Sequence, residues 1–281
     1  MILAGMGICS VSAQSRKILL KNVTLIDGTG APARHRVNLL LDGDQISGVL
    51  TGDPELKTDV QVRDYSGRTN MPALICAHAH VGVLKGTSVS AENYTRENII
   101  RQLKRYEQYG VSALLCMGTD RPLIFHGFRD SSQAGELPGA RLYSAGFGFA
   151  VPASPPGGSW TDHVFRPATE DQAVAEVDSL ARLHPTVVKI WMDDFGGHAS
   201  KMKPEIYKAI IRQAHRYGIK VAAHLYYLED ARNLVAAGLD IIAHSIRDKV
   251  VDDGLLKEMK KRGVAYIPTL TRDESIFMYA D

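Results

Sequence analysis

Apolar and polar positions follow two different rhythms along this chain, and the change falls near residue 70. Between 17 and 70 short apolar runs, at 18–26, 37–41, 45–50 and 60–65, are divided by Gly, Asp and Pro. Alternation with a period of two puts one face of a strand in a core and the other in solvent, so four strands are predicted. From Met71 the pattern becomes a repeat of short apolar runs and longer segments with helical spacing. Predicted strands end at His80, cover 112–117 and 141–146, carry Lys189, His224 and His244, and close with 265–268. Predicted helices lie at 92–109, 170–183, 204–217, 228–237 and 252–262. Residues 147–167, rich in Gly, Pro and Ser, read as a long loop that shapes a pocket, and 269–281 as a terminal loop. Repeated strand–helix alternation implies a parallel sheet and, at this count, an α/β barrel.

Composition narrows the function classes. A net charge of +2 with 23% charged residues gives no electrostatic footprint for nucleic acid, and no apolar stretch is long enough to span a bilayer. Residues 2–13 are apolar or small, and Val11-Ser12-Ala13 before Gln14 suits signal-peptidase cleavage. Residues 1–13 are therefore expected to be a signal-peptide remnant and the location periplasmic or secreted, with a cytoplasmic enzyme as the alternative. Cleavage would remove Cys9 and leave Cys76 and Cys116 as buried thiols without a disulfide framework.

The candidate chemistry sits at the strand ends. His78 and His80 are two apart, so in a strand both point the same way. Lys189, His224 and His244 each close a short apolar run, and each is separated from the next by about one strand–helix–strand unit. A parallel barrel gathers such ends around one opening, where imidazoles can share metal ions.

These residues, with the entry segment 21–28, the turn Asp42-Gly43-Asp44-Gln45-Ile46 and the run before His78, make the chain resemble the metal-dependent amidohydrolase superfamily, in its imidazolonepropionase-like and Xaa-Pro dipeptidase-like branch. Two positions depart from the family pattern: Ala73 and Cys76 stand where a glycine and an aspartate are usual. The resemblance implies a TIM-like (β/α) barrel over 71–281 and a partial small β-sandwich domain over 17–70. It also implies two divalent metal ions, Zn2+ by expectation, held by His78, His80, His224 and His244, and a carbamate on Lys189 bridging them, since a protonated lysine offers donors only. The implied reaction is hydrolysis of an amide or peptide C–N bond by a bridging hydroxide, with Lys189, His224 and His244 as its catalytic residues. A mononuclear cyclic-amide hydrolase or deaminase is the alternative. The family's barrel has eight strands, the eighth carrying an aspartate that passes protons, and the sequence ends before such a strand. The chain is therefore expected to be a C-terminally truncated, inactive form of an active parent, or a binding scaffold.

Further residues are assigned from position. Tyr226 and Tyr227 follow His224 and are expected at the substrate, the phenol facing an oxyanion. Arg247 is expected to pair with a substrate carboxylate, with Asp248 as its competing partner. Asp120, in Gly118-Thr119-Asp120, is expected to be a loop residue and not a metal ligand. His35, His184 and His215 are expected at the surface; His126, His163 and His198 lie in loops that border the pocket. The expected partner is a small amide or peptide-like substrate, with homo-oligomerisation left open.

Overall fold

The computed structural model describes residues 17–52, 54–55 and 59–278, so the segment read as a signal remnant, 1–13, lies outside them. The chain divides into two compact units, Met1–Ala73 and Leu74–Asp281, close to the expected change of pattern.

In the first unit β1 (Lys17–Leu25), β2 (Arg34–Asp42), β3 (Gln45–Thr51), β4 (Gln61–Asp64) and β5 (Thr69–Asn70) form one five-stranded sheet. Strands β1, β2 and β3 are antiparallel, while β4 and β5 run parallel to β1. Gly43, at φ +62°, takes the left-handed step in the tight turn between β2 and β3. Val23, Leu25, Val37 and Leu39 are buried together, Leu19 is buried as well, and Ile46, Val49 and Val62 are exposed. The expected sandwich is thus one layer among the described residues.

The second unit begins with β6 (Leu74–Ala79), a short hairpin of β7 (Leu84–Lys85) and β8 (Ser88–Val89), and α1 (Arg96–Gln108). It continues with β9 (Val111–Cys116), α2 (Phe128–Ala134), β10 (Arg141–Ser144) and α3 (Glu170–Ala181). Then come β11 (Val187–Met192), α4 (Pro204–Arg216), β12 (Lys220–Leu225), α5 (Leu228–Ala236) and β13 (Ile241–Ala243). The unit closes with α6 (Asp253–Arg262), β14 (Ala265–Ile267) and α7 (Leu270–Met278).

Strands β6, β9 and β10 form one parallel sheet and β11 to β14 another. Backbone bonds from Phe149 N–H to the Lys189 carbonyl (2.8 Å) and from Trp191 N–H to the Phe149 carbonyl (2.9 Å) link the two. The loop after β10 therefore lends one residue to the sheet.

All six residues of β11 are buried, as expected of a strand with helices on one side and an opposing sheet on the other. Helix α4 buries Ile206, Tyr207, Ile210, Ile211 and Ala214, the spacing of a single helical face. Thr95, Thr169 and Asp252 cap α1, α3 and α6, each side chain accepting a backbone N–H, a contact typically worth ~1 kcal/mol.

Two expectations are corrected. The first helix of the barrel starts at Arg96, not at 92, because Thr95 takes the capping role and Ala91–Asn93 forms a separate 3-10 turn capped by Ser90. Residues after Thr269 are not a loop: the stretch lacks Gly and Pro, and the Thr269 carbonyl accepts the Arg272 N–H at 3.0 Å, starting α7. No helix among the described residues is long and apolar enough to cross a membrane.

Candidate functional site

Parallel pairing brings the five sequence-predicted residues together at one end of the second unit. Ring centroids are 5.3 Å apart for His78 and His80, 4.5 Å for His78 and His244, and 4.5 Å for His224 and His244. The four imidazoles, with Trp191, Thr269 and Arg272, line a cavity of about 580 Å³. Lys189 is fully buried beneath them, its amine 5.6 Å from the centre of the Trp191 ring.

The backbone at the strand ends is unusual. Thr119, Phe195, His244 and Thr269, which follow β9, β11, β13 and β14, all have left-handed φ between +52° and +73°. Such a conformation costs a non-glycine residue roughly 1–3 kcal/mol and persists where the surroundings over-determine it. Gly118 and Gly148 take positive φ as well, and a Cβ at either would fall 2.6 and 2.4 Å from the Trp191 ring. The indole fits because neither glycine has a side chain.

Hydrogen bonds orient three of the four rings. His80 Nδ1 lies 3.3 Å from the Gly118 carbonyl, which can only accept, so Nδ1 carries the proton and Nε2 keeps its lone pair. His224 Nε2 is 3.0 Å from Asp193 Oδ2, and His244 Nδ1 is 2.7 Å from Thr269 Oγ1. His78 Nδ1 and Lys189 Nζ are buried without a hydrogen-bond partner.

Electrostatics keep the group neutral. Burial lowers the Lys189 ammonium to about 7, so near neutral pH a large share of the amine is uncharged. Burial and then the Lys189 charge lower His80 to about 4 and His244 to about 2, and push His78 far below the ordinary imidazole range. The His80 side chain is exposed along the cavity, and the ring edge set within the protein is the Nδ1 edge against the Gly118 carbonyl. Burial also lowers His224, against the pull of Asp193.

The residues expected at the substrate are already engaged. Arg247 donates to Asp273 at 3.1 Å and lies 4.8 Å over the Tyr226 ring. Asp248 is not its partner: that carboxylate accepts the Leu228 N–H at the start of α5. Tyr227 donates its hydroxyl to Asp194 at 2.7 Å, which raises its pKa to about 12, and its ring carries Lys201 at 3.7 Å. Of the loop histidines, His163 stacks on Phe147, while His126 and His198 are exposed, as are His35, His184 and His215. Asp120 is a loop residue by position but is almost fully buried, accepting from Tyr94 Oη at 3.2 Å and Ser144 Oγ at 2.5 Å.

Sequence reasoning missed Asp193, Thr269 and Trp191. Strand parity could have found two of them, since Lys189, Trp191 and Asp193 fall on one face. Among the described residues, no three His, Cys, Asp or Glu side chains stand in an arrangement that holds a metal ion as they are placed.

No protein-family model matches the chain. An uncharacterized protein of Mycobacterium tuberculosis is 27% identical over 260 residues, covering 91% of this chain and 63% of the relative. The chain thus spans less than two thirds of the length of that curated relative. Among solved structures, a Xaa-Pro dipeptidase with bound methionine in its active site superposes with a TM-score of 0.76 at 23% identity, covering 92% of this chain and 68% of that one. An amidohydrolase superposes with a TM-score of 0.74 at 20% identity over the same shares. The chain has the α/β fold of these structures.

Proposed function

We propose that the protein is an amidohydrolase-type metal hydrolase acting on amide or peptide C–N bonds, with His78, His80, His224, His244 and Lys189 holding two divalent ions. The observation that carries this reading is the fully buried, unpartnered Lys189 amine beneath four converging imidazoles. An orphaned buried amine costs free energy unless it meets a ligand, and a metal-bridging derivative of it would satisfy that demand.

The spacing of the rings fits the group. With Zn–N near 2.0–2.1 Å, two imidazoles on one tetrahedral ion place their centroids roughly 5 Å apart. The pairs His78–His80, at 5.3 Å, and His224–His244, at 4.5 Å, lie around that value. Bound divalent ions would polarise a substrate carbonyl and lower the pKa of water towards neutrality.

The chain's own residues prepare the site for this. A neutral Lys189 amine can add to carbon dioxide, forming an N–C bond and releasing one proton, to give an anionic carbamate with two oxygens. The largely neutral histidines keep their lone pairs available as ligands. Trp191 closes the floor against water, its indole seated between Gly118 and Gly148. Arg247, held by Asp273 over Tyr226, offers a guanidinium to a substrate carboxylate, in keeping with the dipeptidase among the similar structures. The barrel architecture and the small β domain belong to the same reading.

Equilibrium dialysis against Zn2+, with and without bicarbonate, tests it. Two ions per chain, with the second requiring bicarbonate and lost in Lys189→Ala, is the expected result. One ion, indifferent to bicarbonate and to Lys189→Ala, would favour the mononuclear cyclic-amide hydrolase or deaminase, and none would leave a binding scaffold.

A further inference from the structure

The loop that follows the lysine strand grips His224 from two sides. Asp193 Oδ2 lies 3.0 Å from His224 Nε2, while Oδ1 of the same carboxylate accepts the Phe195 N–H at 3.0 Å. Phe195, turned into the left-handed region at φ +52°, lays its ring nearly parallel to the imidazole, with centroids 5.9 Å apart and planes 23° apart. One face and one edge of His224 are therefore taken by protein, and His244 packs edge-on at 4.5 Å. Nδ1 makes no hydrogen bond among the described residues, and His224 lines the cavity.

We propose that Asp193 is a positioning residue that fixes the tautomer of His224, holding the proton on Nε2 so that the bare lone pair of Nδ1 faces the cavity. An ionised carboxylate can only accept, so the nitrogen against it must carry hydrogen, and in a neutral imidazole the other nitrogen is then an acceptor. The hydrogen bond from the Phe195 N–H ties the carboxylate down, so it cannot swing away without breaking the turn. Phe195 supplies the second restraint, blocking the ring flip that would exchange the two nitrogens. A backbone conformation this costly for a phenylalanine is accounted for by that task. The same arrangement on His80 uses the Gly118 carbonyl, so two strands present imidazole lone pairs by different acceptors. A carboxylate that orients a histidine in this way strengthens metal binding by about 10–100-fold where a metal is bound; this consequence rests on the metal reading above, whereas the tautomer does not.

The test is long-range 1H–15N correlation on 15N-histidine-labelled, metal-free protein at neutral pH, with the His224 signals identified by their loss in His224→Gln. In the wild type, Nε2 of His224 should show a protonated, pyrrole-like shift and Nδ1 an unprotonated, pyridine-like one. Asp193→Ala should give a mixture of tautomers and weaken Zn2+ binding, measured by competition with a chromogenic chelator, about 10–100-fold. Phe195→Leu should keep the tautomer while broadening the His224 signals. A wild-type His224 protonated on Nδ1, or an Asp193→Ala protein with unchanged tautomer and affinity, would overturn the proposal. If Asp193→Ala fails to fold, the wild-type spectrum alone decides. If the wild type binds no Zn2+, the metal reading fails and the shifts still settle the role of Asp193.

Discussion

The imidazoles of His78 and His244 stand 4.5 Å apart, centroid to centroid, although His78 lies near the end of β6 and His244 directly follows β13. Two imidazolium ions could not share that space with the Lys189 ammonium, so the pair is held in the neutral form. The consequence is a dependence of stability on acid. Unfolded, these histidines bind protons near pH 6.5; folded, His244 does so only at about 2 and His78 lower still. Over that interval the unfolded chain holds more protons, so stability is present above pH 6.5 and declines as pH falls. Urea midpoints of the metal-free protein should drop between pH 7.5 and 4.5, and His244→Gln should flatten the decline. An acid-insensitive midpoint would show that the rings are solvated.

Lys189 works in the alkaline range. Its folded pKa, about 7, lies below its ordinary 10.5, so between these values the unfolded chain again binds more protons and stability rises with pH. Below pH 7 the ammonium must be buried in full. Lys189→Met keeps the volume and removes that cost, so the metal-free variant should be more stable than the wild type at pH 6.5, by an amount on the order of 1–4 kcal/mol. The difference should shrink as pH approaches 10. A variant less stable than the wild type at pH 6.5 would mean that the amine has a partner which stabilises the fold.

How much of this was legible depended on range. Strand parity and strand-end position sufficed to select His78, His80, Lys189, His224 and His244, because a parallel sheet converts those local signals into convergence. Asp193 and Thr269 were missed since their roles lie in contacts with rings on other strands, His224 and His244. Pairing Arg247 with its neighbour Asp248 followed sequence proximity. The fold instead brings Asp273 to it from α7, a helix unrecognised because a terminal stretch without a strong apolar face was read as loop. Burial of Asp120 was equally invisible, because Tyr94 and Ser144 reach it from other elements.

Gly148 and Gly127 separate two reasons for a glycine. Both have positive φ, +77° and +81°, but a Cβ at Gly127 meets nothing within 4 Å, whereas at Gly148 it falls 2.4 Å from the Trp191 ring. Gly127→Ala should cost only the left-handed backbone term, about 1–2 kcal/mol. Gly148→Ala adds overpacking, typically 1–3 kcal/mol more, and must push the indole towards the cavity. Thermal melts give the first comparison. Trp191 emission, isolated in a Trp160→Phe background, gives the second and should shift only in Gly148→Ala. Equal losses with unchanged emission would show that the Trp191 slot has slack.

Asp120 provides a titration with the opposite sign. Burial raises its carboxyl to about 7 from an ordinary 3.8, despite hydrogen bonds from Ser144 and Tyr94 that favour the anion. Between these values the folded chain holds the extra proton, so its stability is greatest below pH 3.8 and is lost as pH rises through 7. Asn at this position keeps one carbonyl acceptor for the two hydroxyls, which can rotate to suit, and has no charge to bury. Asp120→Asn should therefore be no more stable than the wild type at pH 4, where the carboxyl is protonated when folded, and should gain over it progressively towards pH 8. Paired urea titrations at the two pH values, with the metal-free protein, isolate the effect from the histidines if the wild type is compared only with the variant at each pH. A stability difference that does not change between pH 4 and 8 would show that Asp120 stays ionised throughout, its two hydroxyl donors outweighing its burial.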